Sequence, residues 1–191
     1  MSGRPKIFDD EEVIRKATEV FWRQGYEATS TEDLLTAMGI GKGSFYLAFK
    51  GGKKELFEKA LQQFSENAIA RFKQGLNATD NPIAYIKEFF LSNTQKMQQR
   101  GCFFGNTVAE LSNTNALLMK KATHHLQMLE ALFQEALQRG KQQGLLKSDK
   151  DPVLLARLLL NNWNGLGITR RMYPDNETLY ELIEMQLKML D

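Results

Sequence analysis

The stretch Gly39 to Lys54, GIGKGSFYLAFKGGKK, sets hydroxyls, ring edges and cations close together with no acidic residue among them. Lys42, Lys50, Lys53 and Lys54 supply positive charge, Ser44 and Tyr46 supply hydroxyl donors, and Gly43 lets backbone come close to a partner. Thr29 and Thr31, shortly before it, add two more hydroxyls. Groups of these types hold phosphate oxygens, as do the amides of a helix start. The same lysines also suit an ordinary solvated face, and spacing alone leaves both readings open.

These residues need helices to position them. Apolar residues recur at helical spacing almost throughout, as in Val13, Ile14, Ala17, Val20 and Phe21, and then Leu34, Leu35 and Met38. Asn81-Pro82 and Asp151-Pro152 each place a capping side chain before a proline suited to the first helical position. The expected fold is all-α, with helices over 10–24, 31–38, 42–49, 54–74, 82–99, 104–111, 115–143, 152–172 and 177–190. The first three are short and the later ones long, which divides the chain into residues 1–53 and 54–191. Residues 1–8 and the polar turn 74–81 are expected to be mobile.

Within the first part, a hydroxyl of the Thr29-Ser30-Thr31 run can cap a helix that stops at Gly39, and a second short helix follows. Ile40 can plug the angle between them, and Ala37 is small enough to let them approach. This is the pattern of a helix-turn-helix, whose second helix enters the DNA major groove. Phe45 and Phe49, four residues apart, should face inward and leave Lys42, Gly43, Ser44 and Tyr46 outward. The basic run Arg4-Pro5-Lys6 can follow a minor groove or stay disordered.

The second part offers material for a small-molecule pocket, which is mostly apolar with a few placed polar groups. Phe89, Phe90, Phe103, Phe104, Met128 and Trp163 could supply the first kind, and Asn106, Thr107 and Asn164 the second, although aromatics at this spacing also build ordinary cores. Cys102 reads as a buried inert thiol or as a sensor of oxidants or electrophiles, the latter if Arg100 and a helix start lower its pKa. His124 and His125 are adjacent, so on a helix they diverge by about 100° and chelate poorly. No metal or cofactor is expected. Val153, Leu154, Ala156, Leu158, Leu159 and Leu160 make a broader apolar surface than one packing stripe needs, which fits a dimer interface.

Composition excludes more than it selects. The 191 residues are 42% hydrophobic, enough to bury a core, and the net charge is +2. Residues 1 to 60 hold ten Lys and Arg against ten Asp and Glu, so bulk charge makes no case for nucleic acid and only the placement of charges can. One cysteine rules out an intramolecular disulfide framework. With neither an apolar run of membrane length nor the apolar centre of a signal peptide, the expected location is the cytoplasm. No Ser-His-Asp set, phosphate loop or catalytic ligand spacing stands out, which points away from an enzyme.

The run Gly3-Arg4-Pro5-Lys6, then Ala17 with Phe21-Trp22-Arg23-Gln24-Gly25-Tyr26-Glu27-Ala28-Thr29-Ser30, then Ala37-Met38-Gly39-Ile40, Ser44-Phe45-Tyr46 and Phe49, resembles the N-terminal domain of TetR-family transcriptional repressors. Arg100 to Thr107 resembles a short segment after the fifth helix in one branch of that family. The resemblance implies a homodimer whose N-terminal domains bind a near-palindromic operator and whose C-terminal domain binds a small-molecule effector. In the family, Thr31, Lys42, Ser44 and Tyr46 fall where DNA is commonly contacted, and the last two helices commonly form a four-helix bundle with the partner. The link Lys50-Gly51-Gly52-Lys53-Lys54 is one residue longer than usual, so either Lys53 or Lys54 meets the phosphate. The alternative is an all-helical binding or interaction protein that no longer reads DNA.

Overall fold

A computed structural model describes residues 8–97, 100–173 and 175–191, and the Arg4-Pro5-Lys6 run lies outside them. Among the described residues there are nine α-helices and no strand: α1 (Asp10–Gln24), α2 (Thr31–Met38), α3 (Lys42–Ala48), α4 (Gly52–Ala78), α5 (Pro82–Met97), α6 (Phe103–Leu111), α7 (Ala116–Gln142), α8 (Pro152–Met172) and α9 (Asn176–Leu187). A 3-10 turn covers Lys188–Leu190, so the expected last helix ends three residues early.

The short helices are bounded by local chemistry. Asp9 caps α1 by accepting from the Glu11 amide at 2.9 Å, and Asp10, Glu11 and Glu12 place negative charge where the helix dipole is positive. Ser30 and Asp33 form a reciprocal capping box at the start of α2, worth about 1 kcal/mol. Gly39 ends α2 with φ +70, a left-handed conformation that costs glycine little. Phe45 and Phe49 are buried, as their spacing requires, and pin α3 to the core.

The glycine pair after α3 gives α4 an earlier start than residue 54. Gly52 takes φ +61 and its amide donates to the Phe49 carbonyl at 2.8 Å, while the Gly51 amide donates to Glu55 Oε2 at 2.8 Å. The chain therefore turns within two residues and enters α4 directly. At 27 residues α4 is about 40 Å long and reaches from α1 to α7.

At its other end the expected mobile turn is a correction: Gln74 to Ala78 remain helical. Arg139 of α7 donates to the Leu76 carbonyl at 2.6 Å and to the Thr79 carbonyl, satisfying acceptors that a helix end leaves open. One continuous apolar core runs from Val13 to Leu190, with Phe21, Phe57, Phe90 and Phe133 fully buried. No helix among the described residues is long and apolar enough to cross a membrane.

Candidate functional site: an exposed helix and an aromatic cavity

The outer face of α3 presents Lys42, Gly43, Ser44 and Tyr46 to solvent, and Thr31 of α2 is half-buried beside it. Sequence reasoning missed Leu47, which is 79% exposed on the same helix. It sits between two inward phenylalanines and their neighbours, and a 3.6-residue period assigns it outward.

Thr29 is a correction. Its side chain is 1% exposed, and its hydroxyl donates to the Gly25 carbonyl at 2.5 Å, so it holds the loop between α1 and α2. Lys53 is the second correction. Its ammonium donates to the carbonyls of Tyr26 and Thr29, both at 3.0 Å, and lies 4.5 Å from the centre of the Tyr26 ring. Its protons are spent within the protomer, whereas Lys54 is exposed. With α4 starting at Gly52, Lys53 stands in its first turn and its side chain lies back on the loop.

The same loop is held from the other side by Glu110, in the last turn of α6. Its carboxylate accepts from the amides of Tyr26 at 3.0 Å and Glu27 at 2.8 Å. Gly25 adopts φ +86 there, and a Cβ on it would stand 2.8 Å from Glu110 Oε1. Residues 25–30 are thus gripped at their carbonyls by α4 and at their amides by α6.

The other end of α6 borders a cavity of about 590 Å³. Phe89, Cys102, Phe103, Phe104 and Trp163 line it, together with Trp22 of α1. Phe64, Phe72 and Tyr85 complete an aromatic wall that the sequence did not single out, because they lie on three turns of two helices that only packing brings together. The rings meet mostly edge to face, as at Phe64–Phe104 (5.6 Å) and Phe72–Phe89 (5.1 Å).

Other expected lining residues stand elsewhere. Phe90 lies behind the wall, packed on Phe133. Met128 is off it by one helical step, since α7 turns His125, Leu129 and Leu132 toward the cavity at positions i, i+4 and i+7. Asn106 donates to the Arg100 carbonyl at 2.6 Å, and Thr107 is buried and donates to the Phe103 carbonyl. Asn164 donates to the Leu160 carbonyl, and its Oδ1 packs so close to Gly105 that a Cβ there would lie 2.4 Å away. Thr107 and Asn164 thus bond back within their own helices and Asn106 to the segment before α6, and none of the three lines the cavity.

Cys102 caps α6, its sulfur accepting from the Gly105 amide at 3.4 Å. Burial pushes its thiol above the ordinary range, and this outweighs the hydrogen bonds from Gly105, Phe104 and Trp163 that favour the thiolate. The amides at the start of α6 do favour the thiolate, but burial prevails, which agrees with the buried inert thiol and not with a pKa lowered for sensing. His125 faces the Phe104 ring at 4.9 Å, and burial lowers its pKa. Its Nδ1 has no hydrogen-bond partner among the described residues. No group of three His, Cys, Asp or Glu among those residues could hold a metal ion.

Both halves of the chain match known proteins. The family model for bacterial regulatory proteins of the tetR family matches residues 13–70, and that for the tetracyclin repressor-like C-terminal domain matches residues 83–185. The uncharacterized HTH-type transcriptional regulator YezE of Bacillus subtilis is 30% identical over 194 residues, covering 99% of this chain and 100% of that protein. The HTH-type transcriptional repressor DhaR of a Mycobacterium species is 26% identical over 93% of this chain and 90% of its own. Among solved structures, the TetR family regulator CifR, a cysteine mutant complexed with 26-bp double-strand operator DNA, superposes with a TM-score of 0.87 at 25% identity, over 98% of this chain and 100% of that one. With both of its halves matched in order and a 30% identical relative aligned end to end, the chain belongs to the TetR family of bacterial transcription regulators.

Proposed function

We propose that the protein is a ligand-responsive repressor that binds a near-palindromic operator as a homodimer and is released by a small-molecule effector. The observation that carries this reading is the span of α6: Phe103 and Phe104 at its start line the cavity, and Glu110 at its end holds the amides after α1. A molecule that displaces the first turn of α6 acts on the loop that orients α2 and α3. Residues 1–53 form the reading part, and 54–191 the sensing and dimerising part. Lys42, Ser44 and Tyr46 contact phosphates with Thr31, Gly43 permits close approach, and Lys54 takes the phosphate role that Lys53 has given up. Leu47 meets a base edge, where an apolar side chain favours a thymine methyl. The DNA-bound relative CifR supports operator binding by analogy.

Dimerisation is supported by a stripe on α8. Leu154, Leu158, Asn161, Gly165, Ile168 and Met172 follow one another at alternating steps of four and three, and all are exposed. That spacing is the seam of a helix pair. Gly165 lies at its middle, and a Cβ added there would meet nothing within 4 Å, which leaves room for a partner helix to come close. Of the apolar residues expected to form this surface, Leu154 and Leu158 are exposed, whereas Ala156 and Leu159 are buried and Val153 and Leu160 half-buried, because they pack inward.

Selection of bound duplexes from a random pool, followed by a screen for compounds that release them, tests the reading. The expected result is a near-palindromic site bound by a dimer, with affinity falling steeply as salt rises. Failure to enrich any duplex retires the repressor and leaves the small-molecule binding alternative; enrichment with no releasing compound retires ligand response.

A further inference from the structure

A second concavity, of about 1060 Å³, lies between α1 and the end of α8, and its lining is strongly basic. Arg15, Lys16 and Arg23 project into it from α1, Arg170 and Arg171 from α8, and Arg100 from the segment before α6; Glu19 is the one acidic residue of its lining. Five of the chain's nine arginines therefore converge on one cleft, in a protein whose net charge is only +2. Arginines in the last turns of α1 and α8 complement the dipole of each helix, but that does not account for the two ends meeting. Some of this charge is answered: Arg15 pairs with Glu12 at 2.8 Å, Arg100 pairs with Glu19, and Arg171 donates to the Arg100 carbonyl at 2.8 Å. Arg170 donates to the Asp175 carbonyl, yet its Nε is buried with no hydrogen-bond partner among the described residues.

The cleft and the aromatic cavity share Glu19, Trp22 and Arg100 in their walls. The Arg100 guanidinium lies over the Trp22 ring at 5.1 Å while paired to Glu19, so one ion pair stands between an apolar chamber and a basic one. We propose that the effector is an amphipathic anion, its apolar body in the aromatic cavity and its carboxylate or phosphate head among the arginines of the cleft. The head exchanges places with Glu19 at Arg100, whose planar fork holds either group. The aromatic cavity has Arg71 and Arg100 in its wall but also Glu19 and Glu88, whereas the cleft sets five arginines and Lys16 against Glu19 alone, so the cleft is the stronger seat for the charged head. This proposal rests on the ligand-responsive reading and names the chemistry of its effector.

The chain's two tryptophans, Trp22 and Trp163, both line the cavity, so their fluorescence reports occupancy. Titration of the full-length protein with decanoate and with decanol is expected to show decanoate binding about tenfold tighter or better. Arg170→Gln with Arg171→Gln should lose about that factor for decanoate and leave decanol unchanged, and the exposed Arg23→Gln should act in the same direction. Decanoate should also release the selected duplex. Equal affinity for the two probes, or arginine variants that bind decanoate as well as the parent, overturns the proposal. So do variants that lose the duplex with decanoate binding intact, which would give the cleft to nucleic acid. If a neutral compound releases the duplex and decanoate does not bind, this proposal falls and ligand response stands; if no compound of any charge releases it, ligand response falls as well.

Discussion

Glu110 and Tyr26, 84 residues apart in the chain, are joined by a hydrogen bond of 3.0 Å from the Tyr26 amide to the Glu110 carboxylate. The carboxylate's second oxygen accepts from the Glu27 amide at 2.8 Å, so one side chain of α6 holds two consecutive backbone amides after α1. Glu110→Ala should lower stability by about 2 kcal/mol, because two charge-assisted bonds are lost and water replaces them only in part. It should also leave duplex binding in place while blunting release by an effector. Thermal melts and release assays on the same preparation check this, and a variant that responds normally removes α6 from the route.

Lys53 and Lys54 are adjacent and should fail differently. Lys54→Ala and Lys42→Ala are expected to weaken duplex binding and to lower the salt slope by about one each. Lys53→Met should mainly lower the melting temperature, since its three acceptors are carbonyls of the 26–29 loop. Equal salt slopes for the parent and Lys54→Ala would return the phosphate contact to another group.

Gly165 offers a clean test of the dimer. A Cβ there meets nothing within 4 Å, the position is exposed and leucine favours helix, so the folded chain should be as stable or more so, by up to about 1 kcal/mol. The added side chain would nonetheless stand in the seam between partner helices. Sedimentation should show Gly165→Leu as a monomer with unchanged helicity. A dimer that survives this change, and Leu158→Glu as well, moves the interface off α8.

His125 sets a direction for pH. Burial, helped by nearby His124 and Lys121 and opposed by Glu66, holds its pKa below the ordinary imidazole value. Lys121 is itself paired with Glu58 at 2.7 Å. The unfolded chain therefore takes up this proton first, so the contribution is complete above about pH 6.5 and is lost as pH falls through the lower folded value. Urea midpoints at several pH values should decline on the acid side of neutrality, with a smaller decline in His125→Phe. The same decline in both proteins would assign it to other groups.

Cys102 is expected to be slow toward thiol reagents in the folded protein, because burial disfavours its thiolate. Alkylation rates before and after denaturation measure this. A folded-state rate equal to the denatured one would restore the sensor reading, and Cys102→Ser would then be expected to abolish the response to oxidants.

The helices were legible because their signals are local. A period of 3.6, the Ser30-Asp33 box, the Asn81-Pro82 and Asp151-Pro152 starts and the stop at Gly39 act within a few residues, and so do the inward turns of Phe45 and Phe49. The outward set on α3 followed from the same period. What sequence order did not carry is where side chains from distant helices meet. Thr29 and Lys53 looked like groups for a partner, yet packing brings the loop carbonyls to Lys53 and buries Thr29 beneath them. Half of the aromatic wall, the grip of Glu110 and the convergence of arginines on one cleft come from contacts between helices far apart in the chain. Hydrophobic spacing fixes which face of a helix turns inward, but not which helix it meets, and that meeting decides whether a polar side chain serves the fold or remains free for a ligand.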